Sequence, residues 1–217
     1  MPLIVDHEER RHLIASVVKR MVAAYGMEAV TVRAVAREAG FSSTIVSHYF
    51  RDKRDLMSFT YSTIRARAIE MIDEAIASDA DIVTCFEKLL PVNEANLADW
   101  QAWFGFWGKA TSDANLAAER VAGTEGTQNL FLRILDHACR RGELSEHLDL
   151  EIHAYRLQMF VNGLASFVVM QPKAWPPERQ HAMMAAEIEL MKSMAPSLHS
   201  AVAAVVEPAV RRRRASR

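Results

Sequence analysis

Between residues 31 and 54 the chain reads TVRAVAREAGFSSTIVSHYFRDKR, and this stretch limits the fold more than any other. Thr31 is a helix-capping type, and Val32, Val35, Ala36 and Ala39 recur at i, i+3, i+4 and i+7, which makes one apolar helical side. Gly40 stops that helix, because a left-handed turn residue is best tolerated without a Cβ. Phe41 plugs the space between helices, and Ser42 caps a second helix running to about Phe50. Val46 and Phe50, at i and i+4, point to the core. Two short helices across a tight turn, the second with a short polar outer side, have the geometry of a helix-turn-helix.

Such a unit places its second helix in the DNA major groove, which assigns roles to its outer residues. Ser43, Thr44 and Ser47 are suited to base edges or phosphates, and Ile45 to a thymine methyl. His48 and Tyr49 are placed for backbone phosphates. Lys53 opens the next helix, where its charge joins the helix amides on a phosphate, and Asp52 is a candidate cap there. Arg33, with Thr31 beside it, can hold a phosphate on the other side.

The run Thr31-Val32 … Ala36 … Ala39-Gly40-Phe41-Ser42 … His48-Tyr49-Phe50 … Asp52-Lys53 … Leu56 resembles the TetR family of bacterial transcriptional regulators over about residues 9–57. Residues 45–53 and the tract Ala102-Trp103-Phe104-Gly105-Phe106-Trp107 are similar to the BetI-type subgroup, choline-responsive repressors of glycine betaine synthesis genes. Thr44 stands where that subgroup has a glycine. Glu119, Gly123, Glu125 and Gly126 stand in place of its arginine-rich stretch, and Asn162-Gly163-Leu164-Ala165 in place of its Asp-Gly-Leu-Trp pattern.

The resemblance implies an all-α fold, with an N-terminal three-helix helix-turn-helix domain and a C-terminal helical effector-binding and dimerisation domain. It implies a homodimer joined through the last two helices, a palindromic double-stranded DNA operator, and release by a small-molecule effector. No cofactor is expected. A regulator specific to choline and glycine betaine genes, an activator and a sequence-blind DNA binder remain the alternatives.

Helical periodicity continues along the chain. Leu13, Ile14, Val17, Val18, Met21 and Val22 stripe a first helix over 9–25, closed by Gly26. A long helix is expected from Lys53 to about Ser78, a short one near 81–92 interrupted by Pro91, and an aromatic one near 96–110. A segment near 114–141 is weakened by Gly123 and Gly126. Further helices span about 149–170 and, after Pro177 at a first-turn position, run to about Met194.

Trp100, Trp103, Phe104 and Trp107 share one helical face, and with Phe160 they are the candidate effector-binding residues. Plain core packing is the competing account of the same spacing. Asp99 and Glu94 flank the tract, able to balance a cation but expected to be solvated. The apolar residues Tyr155, Met159, Phe160, Leu164, Phe167 and Val168, with Met184, Ile188, Met191 and Met194, exceed what a monomer surface carries.

Charge is unevenly spread. Residues 1–55 hold nine Lys/Arg against seven Asp/Glu, residues 56–210 hold twelve against twenty, and residues 211–217 add five Arg. An acidic body argues against a protein that coats nucleic acid along its whole surface. Cys85 and Cys139 match no metal or redox spacing, the eight histidines show no ligand spacing, and no nucleophile or phosphate-loop motif occurs. No metal site and no catalytic residues are therefore expected. The charged N-terminal segment is unlike a secretory signal, and no apolar run reaches membrane-spanning length, so a cytoplasmic protein away from membranes is expected. The expected organisation is a DNA-binding domain at 1–54, an effector and dimerisation domain at 55–196, and a disordered Arg-rich tail at 197–217.

Overall fold

A computed structural model of the chain describes residues 7–193, so the tail expected at 197–217 lies outside the described residues. Among the described residues the regular structure is entirely helical. The elements are α1 (His7–Tyr25), α2 (Val32–Glu38), α3 (Ser43–Tyr49), α4 (Lys53–Ala77), α5 (Ile82–Glu87), α6 (Glu94–Ala110), α7 (Ala114–Arg140), α8 (Leu150–Met170) and α9 (Pro177–Ser193), with short 3-10 turns at Met27–Ala29 and Pro172–Ala174. None of these helices is long and apolar enough to cross a membrane.

Local chemistry sets the helix ends near the reader. The Thr31 hydroxyl accepts from the Ala34 N–H at 3.1 Å, and the Ser42 hydroxyl from the Ile45 N–H at 3.3 Å. At the end of α2 the Phe41 N–H bonds the Ala36 carbonyl at 2.8 Å and the Gly40 N–H the Arg37 carbonyl at 3.3 Å, a paired C-terminal cap. That cap holds Gly40 at φ 70°, in the left-handed region. A Cβ on Gly40 would meet nothing within 4 Å, so Gly40→Ala carries only the backbone cost, about 1–2 kcal/mol. The urea midpoint should fall with the slope unchanged, and an unmoved midpoint would mean the turn is held differently. Asp52 caps α4, accepting from the Asp55 N–H at 2.8 Å, while the Asp55 carboxylate reaches back to the Arg51 N–H at 3.0 Å. That Asp55 N–H is the main cause of the lowered pKa of the exposed Asp52 carboxyl.

The described chain packs as two compact units, one of residues 7–70 with 93–124, the other of residues 71–92 with 125–193. The first unit reaches past residue 54 into α4 and takes in α6. Its core joins Ile14, Val17, Val18 and Val22 of α1 to Val35, Val46, Phe50, Leu56, Ala102 and Phe106. Leu13, counted in the α1 stripe from the sequence, is instead 49% exposed. Gly105 lets α6 lie close on α1, since a Cβ there would sit 2.8 Å from Val22 Cγ1.

The second unit buries Ile134, Leu135, Leu157, Met184 and Ile188, with Phe86 set edge-on to Phe131 at 5.1 Å between ring centroids. Buried Gln180 on α9 donates to the carbonyls of Pro91 and Trp175 at 3.2 and 2.9 Å, tying the last helix to the turn after α5. Cys85 is buried, and that burial pushes its thiol up to about 11, leaving it inert as a nucleophile.

The weak point expected in the 114–141 segment does not occur, and α7 is continuous. At Gly123 packing decides: a Cβ would lie 2.7 Å from the Tyr61 hydroxyl. The glycine leaves room for that tyrosine, and the helix runs on despite a propensity cost of about 1 kcal/mol.

Candidate functional site

Val46 and Phe50 are fully buried and pin α3 to the first unit, which decides what its other faces do. Ser43, Thr44, Ser47 and His48 are exposed along the outer side, and Ile45 and Tyr49 lie half-buried at its edges. Thr31 and Arg33 are exposed at the start of α2. All these residues, with Lys53, belong to one packing unit, on or beside the helix-turn-helix.

Two have a structural duty as well. The Thr31 hydroxyl oxygen caps α2, leaving its proton available. The Lys53 ammonium donates to the Met27 carbonyl at 3.2 Å, which ties the start of α4 to the turn after α1. An ammonium has three donors, so two remain for a phosphate.

The start of α1, to which the sequence motif drew no attention, lies against this surface. The His7 ring meets the Tyr49 ring edge-on at 4.5 Å and the His48 ring at 5.4 Å between centroids. The Arg10 guanidinium lies 5.4 Å from the centre of the Phe41 ring, and that of Arg11 4.1 Å from Phe59. No spacing rule reveals these contacts, because they join residues 31 to 48 positions apart that meet only on folding.

On α6, Trp100, Trp103, Phe104 and Trp107 form a continuous half-buried ring cluster, with neighbouring centroids 5.4–6.5 Å apart. Tyr61 of α4 stacks on Trp103 at 4.6 Å and 19°, covering one face of that indole. The Trp103 Nε1 is buried with no hydrogen-bond partner among the described residues. Phe160 is half-buried on α8, in the second unit.

Asp99 corrects the expectation of a solvated flank. It is 8% exposed; its Oδ1 lies 2.7 Å from Lys19 Nζ of α1, and its Oδ2 pairs with the Arg67 guanidinium of α4. Arg67 also donates to Asn96 Oδ1 at 3.0 Å. The carboxylate is thus already met by two cations and joins three helices. Glu94, one turn earlier, is exposed as expected. No group of three or more potential metal ligands occurs among the described residues.

Residues 16–58 match the family model of bacterial regulatory proteins of the tetR family, and residues 78–193 that of the BetI-type transcriptional repressor C-terminal domain. The chain is 27% identical over 176 residues to the HTH-type transcriptional regulator PksA of Bacillus subtilis, covering 79% of this chain and 84% of the relative. It is 28% identical over 176 residues to the HTH-type transcriptional regulator BetI of Cronobacter sakazakii, covering 77% and 80%. A transcriptional regulator from Saccharomonospora viridis, solved in complex with choline, superposes with a TM-score of 0.73 at 19% identity, over 84% of this chain and 96% of that one. At that identity the likeness shows the fold.

Proposed function

We propose, since the chain belongs to the TetR family of bacterial transcriptional regulators with a BetI-type repressor C-terminal domain, that it binds a palindromic operator as a homodimer and is released by a small molecule. Its helix-turn-helix reads DNA through α3. The observation that carries this is the exposed row Ser43, Thr44, Ser47 and His48 on a short helix whose opposite side is locked by buried Val46 and Phe50.

Pairing through α8 and α9 is supported by their exposed apolar residues. Met159, Phe167 and Met170 are 66%, 58% and 79% exposed, and with exposed Gly163 they follow i, i+4, i+8 and i+11 along one side of α8. Met183 and Leu190 are likewise exposed apolar residues on α9, and a Cβ on Gly163 would meet nothing within 4 Å. A two-fold pairing sets the two recognition helices for half-sites about 34–36 Å apart.

For the effector, the Trp100, Trp103, Phe104 and Trp107 cluster is the proposed wall; Phe160, on the other unit, is a separate candidate. A ligand need only favour the dimer with wrongly spaced readers, and a coupling of about 1–3 kcal/mol weakens operator binding by about 5- to 150-fold. Choline is the first compound to try, because the BetI-type domain match and the choline-bound S. viridis structure point the same way.

Fluorescence anisotropy on a duplex from upstream of this gene, against a scrambled duplex at fixed salt, tests the regulator. Tight selective binding is expected, and equal affinity for both would mean that this duplex is not its operator. Relief by choline supports the choline-specific form, and indifference to it discards that form alone. Ser43→Ala and Ile45→Ala should alter base preference by about 1–3 kcal/mol per contacted base pair. An unchanged preference in both would remove α3 from the role of reader.

A further inference from the structure

We propose that the first turn of α1 is a further DNA-contacting element, in which Arg10 engages a backbone phosphate and His7 positions His48 and Tyr49 on theirs. It rests on α3 being the reader, and lies outside the matched family segment, which begins at residue 16.

Helical spacing puts His7, Arg10, Arg11 and Ile14 on one side of α1, at i, i+3, i+4 and i+7. Buried Ile14 turns that side toward the reader. Glu9, exposed, falls on the other side of the helix, and Glu8 is paired with Arg11 at 3.2 Å. Among the described residues neither of these carboxylates forms an ion pair with His7 or Arg10.

Those groups are held where a phosphate would pass. The His7 and His48 Nε2 atoms lie 3.4 Å apart, and the His7 ring also leans on Tyr49, so one imidazole fixes both phosphate-facing side chains at the end of α3. Arg10 lies over Phe41, the turn residue between the two reader helices, and has no carboxylate partner among the described residues. A guanidinium held beside a ring, with no carboxylate on it, keeps N–H donors for an oxyanion. Arg11 differs, being committed to Glu8 and to the Phe59 and Phe50 rings. His7 thus serves as a positioning residue and Arg10 as a phosphate ligand.

The test uses the full chain, with anisotropy between 50 and 200 mM salt on the upstream duplex and on the scrambled one. Arg10→Gln should weaken binding to both duplexes by the same factor and flatten the slope of log K against log salt by about 0.9 per subunit, with the thermal midpoint unmoved. His7→Ala should weaken both several-fold, and His7→Gln, whose amide still reaches His48, should recover part of the loss. Arg33→Gln serves as the reader's own control. A slope unchanged in Arg10→Gln but flattened in Arg33→Gln overturns the α1 contact and leaves the reader in place. A lowered thermal midpoint with an unchanged slope also overturns it, showing packing alone. If neither variant moves the slope, the assignment of the reader falls and the α1 contact with it.

Discussion

Phe167→Glu yields a single-chain species that has lost tight operator binding. Phe167 is 58% exposed on α8, so the substitution removes little from the core of its own chain. In a two-fold pairing it would place a carboxylate from each copy in an apolar seam that also holds Met159, Met170, Met183 and Leu190. Desolvating an unpaired charge there costs several kcal/mol, enough to part the subunits at working concentration. Each reader then binds a half-site alone, and the loss of linkage removes about 10²–10⁴ of the apparent affinity. Sedimentation reads the mass and anisotropy the affinity. A variant that stays dimeric and binds its operator would place the interface elsewhere.

Asp99→Ala carries the second large effect, on stability. It leaves Lys19 and Arg67 facing each other in a poorly solvated gap, with Asn96 Oδ1 still accepting from Arg67. Removing one member of a buried pair costs about 3–5 kcal/mol. Lys19 and Arg67 keep side-chain exposures of 23% and 36%, so about 2–3 kcal/mol is expected. For a chain of 217 residues that lowers the thermal midpoint by about 5–10 °C. A double-mutant cycle with Lys19→Met should show coupling above about 1 kcal/mol. A midpoint within one degree of the parent, by about the same scale, would mean that water already carries these charges.

The helix-turn-helix was legible because it is written locally. Thr31, Gly40, Ser42 and Asp52 act within four residues of themselves, and Val35, Val46 and Phe50 reveal their burial by period alone. The aromatic face of α6 was legible for the same reason. Asp99 was misread because its partners lie 80 and 32 positions away, and a lone carboxylate beside a tract carries no mark of them. Gly123 was misread because propensity counts its lost side chain and cannot count the Tyr61 hydroxyl that takes the space. His7 precedes the family-like stretch and Arg10 is not one of its diagnostic positions, and what they touch exists only after the chain has closed on itself.

Gly163 leaves a notch in the outward side of α8, with Met159 and Phe167 one turn away on either flank. In the proposed pairing a bulky side chain from one copy needs a notch on the other. A relative with a large residue at that position would present a bump to a bump. The spacing would thus act as an identity check, favouring self-pairing and discouraging subunit exchange with other regulators of the same architecture in the same cell.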